Sequence, residues 1–531
     1  MMLRETILKK GSQEVKAKDS VTRNIATVCK TIGLMFSRCI GPNGMNILIS
    51  DEKGDTFYAH DAFTALSAIR NTMSHPIARL IHEAVKSIDD NVGDGGKTFC
   101  ILLGEAFKHA EKLREDGVKT ANIISGYSEA ANRCLQVLEN ATVRNVESAI
   151  PKLVETVLSR LPLSSDERKA LSTLVLEAIE HATKSGRDVL DIKSVYVKNK
   201  LGADVTSSFL VKGIVVDKVW PGHMQMPQYI DRPKIALLTS SIELKRSTLK
   251  YEYTVTARDV QHLKQVIDGV SELYAEACRR LREVGATVVL ARGELRDQVL
   301  EGLARCGIMS AFRFNWEDVE FIARATGARP VHDYKNIGPE DLGEAESARQ
   351  VKIGGERWIV IDGCKSSAAC TIVLRASSFK ALKMYERAVV KTLKVVSSFM
   401  REPRLVPGGG AAEMFMATQL RFWSSNLDGQ KGLAVQAFAD SLEKIPFLLA
   451  VNSGRDGVES LASLRSNHLD GRIHYGIGPD GRAADMMMLG VLEPFHVKRA
   501  LLDTLRETLV QLLRIENVII ARQIRGNVST R

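Results

Sequence analysis

The sequence predicts a multidomain fold in which helix-rich terminal parts flank an α/β middle region. The 531 residues are too many for one compact core, so length alone indicates roughly two to four domains. The apolar pattern also changes along the chain. Helical spacing dominates both ends, whereas residues from about 213 to 363 alternate short apolar runs with a helix. A middle domain inserted into an outer one accounts for this change.

The N-terminal part, about 16–136, is predicted to form helices separated by glycine-rich turns. Apolar residues recur with the spacing of one helix face at Ile25, Val28, Ile32 and Met35. This spacing predicts a helix over 21–39, and residues 46–50 form a short predicted strand. Two more helices are predicted, over 76–89 and 98–112.

The middle region has the pattern of an independent α/β domain. Short apolar runs typical of buried strands occupy 235–238, 287–290 and 358–361. A helix is predicted between them over 272–284. A long helix over 377–400 follows, and residues 411–520 are again mostly helical.

The charge and the composition exclude several classes of protein. The net charge is +10, but Lys and Arg are interspersed with acidic residues and form no run of five or more. A solvated basic surface is therefore favoured over a nucleic-acid-binding surface. The first 18 residues lack the apolar stretch of a secretory signal, and no window is apolar enough for a membrane helix. We therefore expect a cytoplasmic protein without membrane contact. Its eight cysteines form no CxxC pair and are expected to be buried free thiols.

Three glycine-rich turns, 41–44, 93–96 and 408–410, are candidates for phosphate binding. Glycine allows backbone N–H groups to converge, and the last two turns lead into predicted helices, whose N-termini favour anions. Any one of these turns, taken alone, is also explained by a turn that has only a structural role. Asp94 lies inside the second turn, and Asp61 lies in His60-Asp-Ala-Phe-Thr64. A carboxylate beside a phosphate-binding turn suits Mg²⁺, but a single Asp is more commonly a helix N-cap. Residues 93–98 are not a P-loop, because the required first glycine falls on Asn91 and a helix precedes the turn.

Five motifs, taken in order, make the chain resemble the group II chaperonins. Gly41-Pro-Asn-Gly44 corresponds to the family motif GPKG, and His60-Asp-Ala-Phe-Thr64 corresponds to NDGAT. Gly93-Asp-Gly-Gly-Lys-Thr98 corresponds to GDGTT, and Val406-Pro-Gly-Gly-Gly410 corresponds to VPGGG. Residues 481–494 correspond to a stretch like GEIADMKELGVWEP. The resemblance extends from about residue 21 to 520. One such turn is weak evidence, whereas five in this order are specific.

The resemblance implies three domains, two of them discontinuous. They are a mainly α equatorial nucleotide-binding domain (1–143 and 401–531), a small α/β intermediate hinge domain (144–212 and 365–400) and an α/β apical substrate-binding domain (213–364). A helical protrusion around 245–275 would form a lid. Its apolar stripe comprises Val260, Leu263, Val266 and Ile267, for which a buried core face is an equal alternative.

The resemblance also implies function and partners. Such subunits, about eight per ring, stack as two back-to-back rings that enclose non-native client proteins in an ATP-driven cycle. Nucleotide contacts are implied for Gly41, Pro42, Gly44, Gly93, Gly95, Gly96, Lys97, Thr98, Gly409, Gly410 and, at the ribose, Asp485. Asp94 would bind Mg²⁺, and Asp61 would be a catalytic carboxylate.

The chain departs from the family at a position important for hydrolysis. Counting back from 406–410 without a gap places Lys391 where the family has a second catalytic carboxylate, the Asp of ERSLHDAL. A charged lysine cannot accept a proton from water, although it could pair with the γ-phosphate. A slip in the alignment along this helix is the alternative. Ala62 and Phe63 replace Gly and Ala of NDGAT, and Gly96 and Lys97 replace two threonines.

Two added cations near a triphosphate favour binding without turnover. We therefore expect a subunit that binds nucleotide and hydrolyses it slowly or not at all. Such a subunit would belong to a ring with active paralogues or to a specialised chaperonin-like assembly. A scaffold that keeps the fold but not the cycle is the second interpretation. An unrelated phosphotransferase is the third, with little support because kinase and P-loop signatures are absent.

Overall fold

A computed structural model describes residues 13–15, 18–50, 56–70, 73, 75–144, 149–159, 161, 163–183, 189–217, 226–242, 272, 274–366, 368–427 and 429–520. The chain divides into two compact units, one formed by residues 1–168 with 387–531 and the other by residues 169–386. The finer division into three domains stays a prediction. The predicted lid stripe of Val260, Leu263, Val266 and Ile267 lies outside the described residues.

Helices dominate the first unit. In chain order, the helices of both units are α1 (Lys18–Ser37), α2 (Ala62–Ala68), α3 (Pro76–Val92), α4 (Gly96–Glu115), α5 (Thr120–Asn140), α6 (Ala149–Leu158), α7 (Ser165–Thr183), α8 (Asp297–Arg305), α9 (Trp316–Thr326), α10 (Phe379–Arg401), α11 (Ala411–Ser424), α12 (Gln430–Leu442), α13 (Lys444–Asn452), α14 (Gly457–Leu469) and α15 (Phe495–Leu513). A further helical segment covers residues 274–283. None of the helices in the described part of the chain is long and apolar enough to cross a membrane.

Helix α3 shows how local sequence sets these boundaries. Pro76 occupies the first turn, where its missing N–H would be unpaired in any case, and His75 Nδ1 accepts a hydrogen bond from Ile77 N (3.3 Å). The buried face comprises Ile77, Ile81, Val85, Ile88 and Val92. Gly93 then ends the helix in the left-handed conformation, with φ +75°.

Helices α1 and α4 pack closely because each presents a glycine to the other. A Cβ atom at Gly104 would lie 2.9 Å from the carbonyl oxygen of Cys29, and one at Gly33 would lie 3.0 Å from that of Cys100. Cys29 and Cys100 are buried at this contact. All eight cysteines are free, and all but Cys306 are buried, which confirms the prediction for the thiols.

The nineteen strands are short. In chain order they are β1 (Gln13–Val15), β2 (Ile47–Ser50), β3 (Thr56–Ala59), β4 (Val195–Leu201), β5 (Phe209–Val211), β6 (Gly213–Val216), β7 (Tyr229–Asp231), β8 (Lys234–Leu238), β9 (Val288–Ala291), β10 (Met309–Phe312), β11 (Gly343–Glu344), β12 (Ser347–Ile353), β13 (Glu356–Asp362), β14 (Cys370–Ala376), β15 (Leu405–Pro407), β16 (Tyr475–Ile477), β17 (Ala483–Asp485), β18 (Leu492–Pro494) and β19 (Val518–Ile520). This count covers only the described residues.

The described residues of the second unit form three sheets. One has the order β10-β9-β8-β11, with β8, β9 and β10 parallel to one another. Another, β6-β13-β12-β7, is antiparallel, and the third has the order β4-β14-β5. The three apolar runs predicted as strands lie in β8, β9 and β13, which confirms the α/β character of the middle region.

In the first unit, two small strand pairs position the third glycine-rich turn. Strand β15 pairs with β18, and β16 pairs with β17. Gly408 N donates to the carbonyl oxygen of Val491 (2.9 Å), and Ile477 N donates to that of Gly409 (2.7 Å). Sequence periodicity did not predict these pairs, because strands of three residues are too short to show an alternation.

The helices next to the turns agree with prediction apart from their ends. The helices predicted over 76–89 and 98–112 are α3 and α4, and both are longer. Helix α4 begins two residues earlier than predicted because Gly95, with φ +98°, acts as its N-cap. The helix predicted over 377–400 is α10.

Candidate functional site

Three glycine-rich turns that are distant in sequence meet at one cavity of about 470 Å³ in the first unit. The predicted nucleotide-binding and metal residues that line it are Gly41, Pro42, Asp94, Gly95, Lys97, Thr98, Gly409 and Gly410. Small-molecule and cofactor sites typically have volumes of roughly 300–1,000 Å³. The structure therefore assembles most of the predicted residues around a space large enough for a nucleotide.

A smaller pocket adjoins this cavity and shares Asp94 and Lys97 with it. The other predicted residues that line the smaller pocket are Asp61, Gly93, Gly96 and Lys391. The predicted catalytic positions thus lie beside the predicted phosphate-binding turns, where a hydrolytic site requires them.

Gly44 and Asp485 line neither space. Gly44 closes its turn by donating from its N–H to the Gly41 carbonyl oxygen (3.2 Å). The carboxylate of Asp485 accepts hydrogen bonds from Met487 N (2.8 Å) and Met488 N (3.3 Å), so it holds the turn after β17. Of the two acidic residues in the family stretch, Glu493 is the one that lines the cavity.

Two helix N-termini meet the cavity. Helix α4 follows Gly95 and helix α11 follows Gly410, which has φ +77°, and both glycines line the cavity. A glycine cap has no side chain to accept from the first N–H groups of a helix, so they can bind an anion, and the helix dipole favours this. Lys97 Nζ donates to the carbonyl oxygen of Cys39, which ties the start of α4 to the turn after α1. This arrangement is suited to binding phosphate.

Asp61 is held rigidly in a cationic environment. It is the N-cap of α2, where it accepts from Thr64 N (2.9 Å) and Thr64 Oγ1 (2.8 Å), and Arg387 Nε donates to its Oδ2 (3.3 Å). Burial by itself raises the pKa of Asp61, but Arg387 first, and then Lys391 and the Thr64 bonds, bring this pKa below its ordinary value. Asp61 is therefore a carboxylate at neutral pH.

Helix α10 presents three cations to the acidic residues of α3 and of the turn after it. Arg387 Nη2 donates to Asp89 Oδ1 (2.5 Å), and Lys394 Nζ lies 3.2 Å from Asp89 Oδ2. Lys391, between these two on the same helical face, lies 3.0 Å from Asp94 Oδ1. Lys391 thus contacts the carboxylate that the resemblance assigns to Mg²⁺.

The residues around Asp94 do not fit a resident Mg²⁺. Asp94 Oδ1 already accepts from Gly95 N (2.8 Å) and pairs with the Lys391 ammonium. Mg²⁺ binds carboxylate oxygens at about 2.0–2.1 Å, so an ion on Asp94 would lie close to the Lys391 ammonium, and the two positive charges would repel each other. Among the residues that the structure describes, no group of three or more His, Cys, Asp or Glu could hold a metal ion.

Sequence reasoning missed a buried charge cluster in the cavity wall. Lys498 Nζ lies 2.5 Å from Glu413 Oε1 and 2.7 Å from Glu493 Oε2. Burial lowers the pKa of Lys498, but the two carboxylates outweigh this effect and raise it above its ordinary value. The sequence did contain a signal that Lys498 is buried, since Lys498 has the helical spacing of the buried face of α15, with Leu501 and Leu505. Helix α6, the residue that follows it and the start of α7 add unpredicted lining residues: Lys152, Glu155, Thr156, Ser159 and Arg168.

Comparison with known proteins gives a match over nearly the whole chain. The model of the TCP-1/cpn60 chaperonin family matches residues 32–523. A thermosome subunit alpha of Archaeoglobus fulgidus is 34% identical over 524 residues, which cover 97% of this chain and 94% of that protein. A thermosome subunit of Methanopyrus kandleri is 34% identical over 526 residues, covering 98% and 95%. One from Methanocaldococcus jannaschii is 33% identical over 531 residues, covering 97% of each.

Proposed function

The chain belongs to the TCP-1/cpn60 chaperonin family, and on that basis we propose that it is an ATP-binding subunit of a cytoplasmic group II chaperonin ring that assists the folding of non-native proteins. The observation that carries the proposal is the meeting of three glycine-rich turns, centred on Gly41, Gly95 and Gly409, at one cavity with two helix N-termini. The phosphates lie against these turns. Asp485 is the ribose contact that the resemblance implies, and Glu493, which lines the cavity, offers a second carboxylate for a ribose hydroxyl.

The subunit's own hydrolysis of ATP is slow. Asp61 is ionised and lies next to the smaller pocket, as a catalytic carboxylate must. In the family, the residue at this position is an Asp that orients the attacking water. Here it is Lys391, whose ammonium cannot accept a proton and is paired with Asp94. This ion pair also favours the alternative function, a chaperonin-like scaffold that binds nucleotide without cycling.

Nucleotide binding is tested by a matched pair of glycine substitutions. In Gly409→Ala, the new Cβ would lie 2.5 Å from Met486 Sδ and 2.8 Å from the Ile477 carbonyl oxygen, so the turn must shift. A shift of the order of 1 Å in a binding loop is expected to weaken ATP binding by about tenfold or more in equilibrium dialysis. Gly471→Ala is the control, because Gly471 also has a positive φ (+82°) but, among the residues that the structure describes, the added Cβ would meet no atom within 4 Å.

Wild-type protein that binds no ATP would refute the proposed function. Equal ATP affinity of the Gly409→Ala and Gly471→Ala variants would refute the placement of the nucleotide at this turn.

The composition of the ring tests the assembly. A subunit that hydrolyses slowly cannot drive a ring by itself, so we expect paralogous subunits beside this one. The measurement is negative-stain imaging of the complex isolated from its native cells, with mass spectrometry of its subunits. Double rings containing at least one paralogue are expected. A fast-cycling ring made of this chain alone, or monomers only, would contradict the proposal.

A further inference from the structure

The smaller pocket contains its own counter-ions. Each of its three carboxylates already pairs with a cation from α10: Asp61 with Arg387, Asp89 with Arg387 and Lys394, and Asp94 with Lys391. Lys391 and Asp94 are largely buried, each with a side chain 14% exposed. Burial limits screening by solvent and salt, so this ion pair is a fixed part of the pocket.

Lys391 contacts Asp94, the carboxylate that the resemblance assigns to Mg²⁺. A nucleotide-bound Mg²⁺ connects a protein carboxylate to the phosphates and neutralises their charge. The Lys391 ammonium contacts the carboxylate of Asp94, and Asp94 lines both the smaller pocket and the nucleotide-sized cavity. Lys97, at the first turn of α4, lines both spaces too. Lys97 and Lys391 therefore both line the smaller pocket that contains Asp94.

We propose that this subunit binds its nucleotide without Mg²⁺, because the Lys391 ammonium, paired with Asp94, takes the position and the charge-neutralising role of the metal. This inference rests on the proposed nucleotide-binding function and deepens it. In this proposal Lys391 serves as a counter-ion that belongs to the protein. This role is separate from the loss of the water-orienting carboxylate at the same position. The subunit would then keep its nucleotide under conditions in which metal-dependent neighbours release theirs.

The test is the coupling between metal and nucleotide, measured by calorimetric titration of ATP in MgCl₂ and in EDTA. For the wild type, the Kd should differ by less than about twofold between the two conditions. Lys391→Asp places a second carboxylate beside Asp94, a pair suited to Mg²⁺, so its Kd should be about tenfold or more lower in MgCl₂ than in EDTA. Lys383→Asp is the control. It reverses a charge on the same helix, at a residue that pairs with Glu386, and ATP binding by this variant should stay independent of the metal.

A direct readout uses Mn²⁺ as the probe and needs no variant. After dialysis of the ATP-loaded wild-type protein against Mn²⁺, we expect bound nucleotide without a stoichiometric Mn²⁺. Tight ATP binding that requires the metal, or a stoichiometric retained Mn²⁺, would overturn the inference and leave the nucleotide-binding function intact. Absence of ATP binding in both MgCl₂ and EDTA would overturn the nucleotide-binding function as well.

Discussion

Replacing Lys498 with methionine is expected to lower the free energy of unfolding by about 3–5 kcal/mol. The Lys498 side chain is only 6% exposed and is the cation for Glu413, itself 2% exposed, and for Glu493. Within the described part of the chain, Glu413 would then be a buried carboxylate with no counter-ion, and its Oε2 already has no hydrogen-bond partner there. The measurement is the urea unfolding transition of the variant and of the wild type.

Two controls separate this effect from a loss of packing. Adding Glu413→Gln to Lys498→Met should recover much of the lost stability, because a neutral amide replaces the unpaired charge. Lys431→Met breaks the pair with Glu129, in which both side chains are more than a third exposed, and should cost no more than about 1 kcal/mol. Equal losses at Lys498 and Lys431 would contradict the account of a buried charge cluster.

Replacing Lys391 with aspartate is expected to raise the single-turnover rate of ATP hydrolysis by about 10²-fold. The substitution restores a carboxylate beside the attacking water and releases Asp94 from its ion pair. Because the two carboxylates then lie together, the gain should require Mg²⁺. Lys391→Met is the matched control, since it removes the ammonium without supplying a base, and its rate should stay near that of the wild type. A Lys391→Asp rate equal to that of Lys391→Met would refute this role of Lys391.

Much of the fold was predictable because long elements carry strong periodicity. Helix α3, with Pro76 at its start and Gly93 at its end, is set by local chemistry, and the prediction missed only its last turn. The runs in β8 and β9 are buried on both faces, and such strands are continuously apolar in sequence. Strands β15 to β18 escaped prediction because tertiary pairing, rather than a local pattern, defines elements this short.

Many residues that line the site could be predicted from the sequence, but the contacts between their side chains could not. Motif order singled out Gly95, Gly410 and Lys391, which line the cavity or its neighbouring pocket. The partner of Lys391 was not predictable, because its contact with Asp94 depends on which face of α10 meets the turn after α3. Asp485 and Glu493 both carry a carboxylate in the same stretch, and the sequence does not show that Asp485 bonds to the backbone whereas Glu493 lines the cavity.

The fate of bound ATP in the wild-type protein tests the central claim most directly. Protein in excess over radiolabelled ATP, with MgCl₂ present, is quenched at successive times and assayed for released phosphate. We predict that ATP stays bound and intact, with a hydrolysis rate about 10²-fold below that of Lys391→Asp. Wild-type hydrolysis as fast as in Lys391→Asp, and abolished by Asp61→Ala, would contradict the claim that Lys391 makes this a nucleotide-holding subunit.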